Sequence, residues 1–279
     1  MKDGYFLAEG CQNTFLIYDA ATRRTLDPAF LKWVHSYLIK EKRDDAMILV
    51  DGQADGDTFS ARMVVLGVDA ELGEFCGNGS RACAAYLFSH YPQYINFNLI
   101  SNRGVHRLLR HSDGTYSTFL PRVNFEINRK FIAKPEMFDK NGRFYSFEFK
   151  GKHLFYADAI EPHLIVQEKL SDDELEELGK AVNQLKDLFP LGINVNSCRV
   201  INDHAIRVRT FERGVQRLTQ ACGTGSCCSS AWFLKDEDGR VQVTTLGGQL
   251  EIALGPDGLE LRGPATIESF HPFDESNPL

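Results

Sequence analysis

The chain repeats a short segment of itself. Phe75 to Phe88 reads FCGNGSRACAAYLF, and Ala221 to Leu234 reads ACGTGSCCSSAWFL. Cys76 pairs with Cys222, Gly77 with Gly223, Gly79 with Gly225 and Ser80 with Ser226, at an offset of 146 residues, about half the chain. Small residues follow each motif and then aromatic and aliphatic ones, the composition of a helix packed tightly inside a domain. A repeat with this spacing predicts two related α/β halves, each with a central helix that starts just after a cysteine. The total of 279 residues suits two domains.

Strand and helix signals surround the repeat. Period-2 or apolar runs predict strands at Thr14–Asp19, Ala46–Asp51, Phe59–Leu66, Ile95–Ile100 and Val105–His111. In the second half they fall at Phe144–Phe149, His153–Ala157, His163–Gln167, Asn194–Ile201 and Ala205–Phe211, followed by a hairpin, Val241–Leu246 with Gln249–Leu254, turning at Gly247-Gly248. Two amphipathic surface helices are signalled. One has Asp27 as N-cap and Pro28 in its first turn, then Phe30, Leu31, Val34 and Leu38 on one face. The other opens on a Ser171–Glu174 capping box, with Leu175, Leu178, Val182 and Leu185 at helical spacing.

Composition excludes several roles. Acidic residues outnumber basic ones by 38 to 31, which argues against a nucleic-acid surface and a polybasic membrane anchor. No apolar run is long enough to span a bilayer, and the acids Asp3 and Glu9 near the start argue against a secretory signal. A reducing cytoplasm is therefore expected, with the seven cysteines as thiols. Zinc is not expected, since Cys222 with Cys227 or Cys228 lacks ligand spacing, and a thioredoxin-like Cys-x-x-Cys is missing.

The chemistry follows from where the repeat puts its cysteines. A free thiol titrates near ~8.5, and a helix N-terminus lowers that value. The first amides of a helix have no intrahelical partner, and glycine lets a ligand approach them. Each motif thus offers an activated thiol beside an anion pocket. Cys11, Cys83, Cys198, Cys227 and Cys228 are expected only to pack.

Five landmarks in order resemble the diaminopimelate epimerases: Gln12-Asn13 with Phe15, Cys76-Gly-Asn-Gly-Ser-Arg81, Glu161-Pro162-His163, Gly192-Ile-Asn194, and Glu212-Arg213-Gly214 with Thr219 to Gly225. The resemblance implies two pseudo-symmetric domains, each a mixed sheet or barrel wrapped around a central helix, with the active site in the cleft between them. The expected domains are 1–121 plus 264–279, and 122–263. It implies a racemase or epimerase acting at an amino-acid α-carbon without cofactor or metal. Cys76 and Cys222 would be the thiolate and thiol, and His163 and Glu212 would assist. Asn13, Gly77, Asn78, Glu161, Asn194, Arg213, Gly223 and Thr224 would bind a small amino-acid substrate. Neither nucleic acid nor membrane is an expected partner, and a homodimer is admitted without being required. A phenazine-type isomerase would carry a carboxylate where the cysteines stand; a non-catalytic amino-acid-binding protein would use the same scaffold.

The departures from the family cluster on substrate recognition. Gly67 stands where the family has an asparagine, Glu161 where it has the asparagine of Asn-Pro-His, and Ala46 in place of a glutamine. Val215 to Thr219 is one residue longer than usual. A carboxylate at Glu161 should repel a distal carboxylate unless a cation intervenes, and should suit a distal amine or imidazole. Diaminopimelate, histidine and a basic amino acid are the candidate substrates.

Overall fold

The computed structural model describes residues 4–22 and 26–273. Asp3, and the ends 1–3 and 274–279 of the first expected domain, lie outside them. The chain divides into two compact units, Met1–Phe119 with Arg262–Leu279, and Leu120–Leu261.

The first unit opens with β1 (Gly4–Gly10), β2 (Asn13–Ala20), α1 (Pro28–Glu41), β3 (Asp45–Asp55) and β4 (Thr58–Gly67). It continues through β5 (Leu72–Gly73), α2 (Gly77–His90), β6 (Asn96–Ser101), β7 (Gly104–Arg110) and β8 (Tyr116–Leu120). The second unit carries β9 (Asp139–Asn141), β10 (Phe144–Phe149), β11 (Lys152–Ala159), β12 (Glu161–Val166), α3 (Asp172–Asn183), β13 (Asn194–Asn202) and β14 (Ala205–Glu212). Then come β15 (Arg217–Leu218), α4 (Gly223–Phe233), β16 (Gly239–Thr244), β17 (Gln249–Gly255) and β18 (Gly258–Gly263), and the last strand is β19 (Thr266–Pro272).

The repeat extends from the motif to the whole topology. In the first unit β1–β2 pair antiparallel, β2–β3 parallel around α1, β3–β4 antiparallel, β4–β6 parallel around α2, and β6–β7 antiparallel. In the second unit β11–β12, β12–β13, β13–β14, β14–β16 and β16–β17 follow the same series, with α3 and α4 in the crossovers. Parallel neighbours need such a crossover, which explains why each unit has two helices.

One helix of each pair covers the sheet and the other fills it. Phe30, Val34, Tyr37 and Leu38 of α1 bury against Leu16, Ala46, Ile48, Val50 and Leu66. Leu175, Leu178 and Val182 of α3 bury against Leu164, Val166, Val195 and Phe211. By contrast α2 is buried continuously from Gly77 to Leu87, and α4 from Gly223 to Ala231. A helix apolar or small on every side belongs inside a domain, and strands of its own unit pack around each.

Local details differ from the sequence expectation. Leu185 lies beyond α3, in the turn that follows Gln184, and still packs against the core. The late hairpin ends at Thr244, leaving Leu246 exposed in the turn. β12 starts at Glu161, two residues early, because Glu161 pairs with Ala159 across Ile160. Ala46 is fully buried in the core beneath α1, so it lines no binding surface.

Candidate active site

Each repeat motif builds the same helix start. Cys76 takes φ −128° and ψ 110°, and Cys222 takes φ −120° and ψ 113°. Both are N-caps, and both sulfurs accept the amide of the third helical residue: Gly79 N to Cys76 Sγ at 3.2 Å, and Gly225 N to Cys222 Sγ at 3.4 Å. Sulfur here takes the place of the usual serine or aspartate oxygen. Ser80 N bonds Cys76 O at 2.8 Å and Ser226 N bonds Cys222 O at 2.9 Å, closing the first turn in each unit. A thiolate in this position gains from an amide donor and from the positive helix end.

The motif glycines are steric requirements. A Cβ on Gly79 would strike Met47 Sδ and lie 3.2 Å from Cys76 Sγ. A Cβ on Gly225 would lie 2.9 Å from both Asn196 Oδ1 and Thr210 Oγ1, and 3.2 Å from His163 Cε1.

In the first unit Cys76 is half-buried. Arg81, one turn along α2, is fully buried, donating to Gly77 O at 3.1 Å and Asn78 Oδ1 at 2.7 Å. It also approaches Cys11 Sγ at 3.8 Å, in the tight turn between β1 and β2. Asn13 begins β2 at that turn, paired with Gly10. Gly10 in turn sits so close to Asn78 that a Cβ would be 3.3 Å from the Asn78 carbonyl oxygen. Asn13, Cys76, Gly77 and Asn78 are thus gathered around the start of α2. Gly67 ends β4 in a turn closed by Ala70 N to Gly67 O, with Asp69 Oδ1 filling the space beside it.

In the second unit a polar chain leads away from Cys222. Its Sγ lies 3.5 Å from Thr224 Oγ1, and Thr224 Oγ1 lies 3.0 Å from His163 Nε2. His163 Nδ1 faces Asn196 Oδ1 at 3.2 Å. That oxygen only accepts, which assigns the proton to Nδ1 and leaves Nε2 to accept from Thr224 and, at 3.4 Å, from Asn194 Nδ2. Burial pushes His163 down to about 3, so its imidazole stays neutral.

Asn194 Oδ1 accepts from Arg213 N at 3.0 Å, and Arg213 Nη2 bonds Glu161 Oε2 at 2.7 Å. Glu212 also meets Cys222, hydrogen-bonded to the thiol and accepting from Thr219 Oγ1 at 2.5 Å. Burial raises the Glu212 carboxyl to about 7, against the opposing hydrogen bonds from Thr219 and Cys222. Glu161, Glu212, Asn194, His163, Arg213, Gly223, Thr224 and Cys222 are therefore brought together within one unit.

Three contributors were not singled out from sequence. Asn196 shares a strand face with Asn194, a period-2 signal. Thr219 lies within a landmark already quoted. Arg81 lies within the motif itself. Burial pushes the Cys198 thiol up to about 12 and raises Cys11, Cys83 and Cys228 as well, which keeps these four protonated. Among the described residues no group of three or more His, Cys, Asp or Glu side chains forms a metal-binding cluster, and no helix is long and apolar enough to cross a membrane.

The profile of a family described as diaminopimelate epimerase matches residues 159–268, the stretch from Glu161 through both polar partners of Cys222. A diaminopimelate epimerase of Enterococcus faecalis is 30% identical, covering 80% of this chain and 72% of its own. Another from Listeria monocytogenes is 30% identical, covering 93% and 85%.

The chain belongs to the diaminopimelate epimerase family.

It is an isomerase, an amino-acid racemase or epimerase of the diaminopimelate epimerase type. Solved structures agree on the fold of two pseudo-symmetric domains. A hydroxyproline epimerase from Agrobacterium vitis with bound trans-4-hydroxy-L-proline superposes at TM-score 0.65 and 14% identity, over 97% of this chain and 93% of its own. A phenazine biosynthesis protein of the PhzF family from Enterococcus faecalis gives 0.60 at 14% identity, over 97% and 98%.

Proposed function

We propose that Cys76 and Cys222 are the two acid–base groups of a cofactor-independent racemase or epimerase. One thiolate removes the α-proton of an amino acid, and the other, as thiol, returns a proton to the opposite face. The reverse reaction exchanges the roles. The observation that carries this reading is the duplicated cap: two thiols in two units hold matching backbone angles, and each accepts the amide three residues on.

An α-proton beside a carboxylate is too weakly acidic for an isolated thiolate in water. The first amides of α2 and α4 stabilise the charge that develops on the substrate carboxylate. Gly77, Asn78, Gly223 and Thr224 supply those amides. Exclusion of water strengthens each such bond.

Glu212 manages the Cys222 proton. As a carboxylate it accepts from the thiol, and its value of about 7 matches a group that trades protons near neutrality. His163, neutral throughout that range, keeps its Nδ1 proton on Asn196, orients Thr224 beside the sulfur and relays no proton. Both thiols must remain reduced for this chemistry, which suits the cytoplasm.

The test is exchange in heavy water. L-amino acids, including LL-diaminopimelate, are incubated with the protein and followed by NMR. Deuterium should enter the α-position of the substrate and the opposite stereoisomer should accumulate. Absence of exchange with every amino acid would overturn the reading.

A further inference from the structure

Near Cys222, Arg213 is held by several partners, and one of them is already a carboxylate. Arg213 Nη2 bonds Glu161 Oε2 at 2.7 Å, and Arg213 Nη1 bonds Leu191 O at 3.1 Å. The guanidinium lies over the buried Phe131 ring, with its carbon 4.8 Å from the ring centroid. The side chains of Glu161 and Arg213 are only 13% and 18% exposed, so water screens their attraction weakly.

Both partners are fixed from behind. Arg213 follows Glu212 directly, and its amide is held by Asn194, which also reaches His163. Glu161 begins β12 immediately after Ile160, which holds φ 79°, a conformation a β-branched residue seldom adopts. Two residues on stands His163. The short β11–β12 turn therefore delivers Glu161 and His163 together, one to Arg213 and the other to Thr224.

We infer that Glu161 is the specificity-determining residue: by holding the Arg213 guanidinium it excludes a second carboxylate, so the substrate is a monocarboxylic amino acid with a neutral or cationic side chain. This rests on the racemase reading above. The sequence left one escape for a distal carboxylate, an intervening cation. That cation exists, and it is the one Glu161 neutralises. A distal carboxylate approaching Arg213 meets Glu161 at the same guanidinium edge, and like charges so placed oppose binding strongly. A distal amine or imidazole meets an acceptor instead. The influence of Glu161 also reaches the catalytic thiol, because its charge adds to burial in raising Glu212.

The experiment compares the parent with Glu161→Gln and Glu161→Asn. α-Deuterium exchange is measured on L-alanine, L-histidine, L-lysine, L-glutamate and LL-diaminopimelate. The parent should favour alanine, histidine or lysine over both dicarboxylic amino acids. Either substitution should raise kcat/KM for the dicarboxylic amino acids relative to lysine or histidine by about tenfold or more. Parent preference for LL-diaminopimelate, or an unchanged ratio in both variants, would overturn the inference.

A second readout separates this failure from failure of the racemase reading. Melting-temperature shifts caused by the same amino acids are recorded with parent and Glu161→Gln protein. Charge-selective binding without any exchange removes the chemistry and keeps the specificity. Exchange with no charge preference removes the specificity and keeps the chemistry.

Discussion

The start of α2 and the start of α4 share a backbone and differ in charge. Each is capped by a cysteine whose sulfur accepts the amide three residues on, with a serine at the matching position closing the first turn. Beyond that the neighbourhoods diverge. Beside Cys76 stands the buried cation Arg81; at the matching position of α4 stands Cys227. Beside Cys222 stand a carboxylic acid, Glu212, and a neutral imidazole, His163, reached through Thr224. A duplicated fold has kept the device that exposes amides and a thiol, while each copy carries a different electrostatic surrounding.

The largest expected effect tests what the copies share. Cys76→Ala and Cys222→Ala should each reduce racemisation at least ~100-fold, the scale of losing an acid–base group. Retention of near-parent turnover in either variant would show that the two caps are not equivalent in function. The second prediction tests the cation. Arg81→Met should destabilise the fold by about 3 kcal/mol in urea titration, since its hydrogen bonds to Gly77 and Asn78 are fully buried. Cys227→Ala at the matching site should cost about 1 kcal/mol, the loss of a small buried group.

The third prediction concerns pH. Burial raises Glu212 from 4.5 to about 7, so the folded state keeps a proton that the unfolded chain has lost between those values. Its contribution to stability falls as pH rises through that window. Burial lowers His163 from 6.5 to about 3, so the unfolded chain takes up a proton first on acidification. That contribution falls as pH drops from 6.5 towards 3. Between 4.5 and 6.5 the two oppose each other. Glu212→Gln removes one side of this balance and should be more stable than the parent above pH 7, on the order of 3 kcal/mol in denaturant titration. It should also abolish the acid limb of the kcat/KM profile near 7, whereas Thr219→Ala should move that limb to higher pH, because the Thr219 hydrogen bond lowers Glu212.

The last predictions test packing. Gly225→Ala should cost about 2 kcal/mol, since the added methyl meets Asn196 and Thr210 inside a buried hydrogen-bonded layer. Gly79→Ala should cost less in thermal denaturation, because the Met47 side chain opposite it is flexible.

Sequence signals were readable where their causes were local. Asp27 accepts from Phe30 N, and Ser171 with Glu174 forms both bonds of a capping box, because a cap involves residues three apart. The starts of α2 and α4 were readable for the same reason. Strands at the chain ends were not. β1 and β19 pair antiparallel across almost the whole chain, with a register shift at Leu7/Ala8 that breaks the alternation. Ala46 stands in place of a family glutamine, and its strand turns that position towards α1. A one-residue change of face is invisible to an ungapped comparison.

The sequence by itself determined two capped thiols, one per half, and the helices behind them, because capping, small-residue runs and duplication are written over a few adjacent residues. Only the tertiary structure decided what each thiol faces. Glu212 acquires its proton affinity from desolvation, His163 its neutrality from complete burial, and Arg213 its ion pair from a residue 52 positions away. Those properties depend on which groups leave water together, and that is settled when distant strands pack, not by the order of residues along one of them.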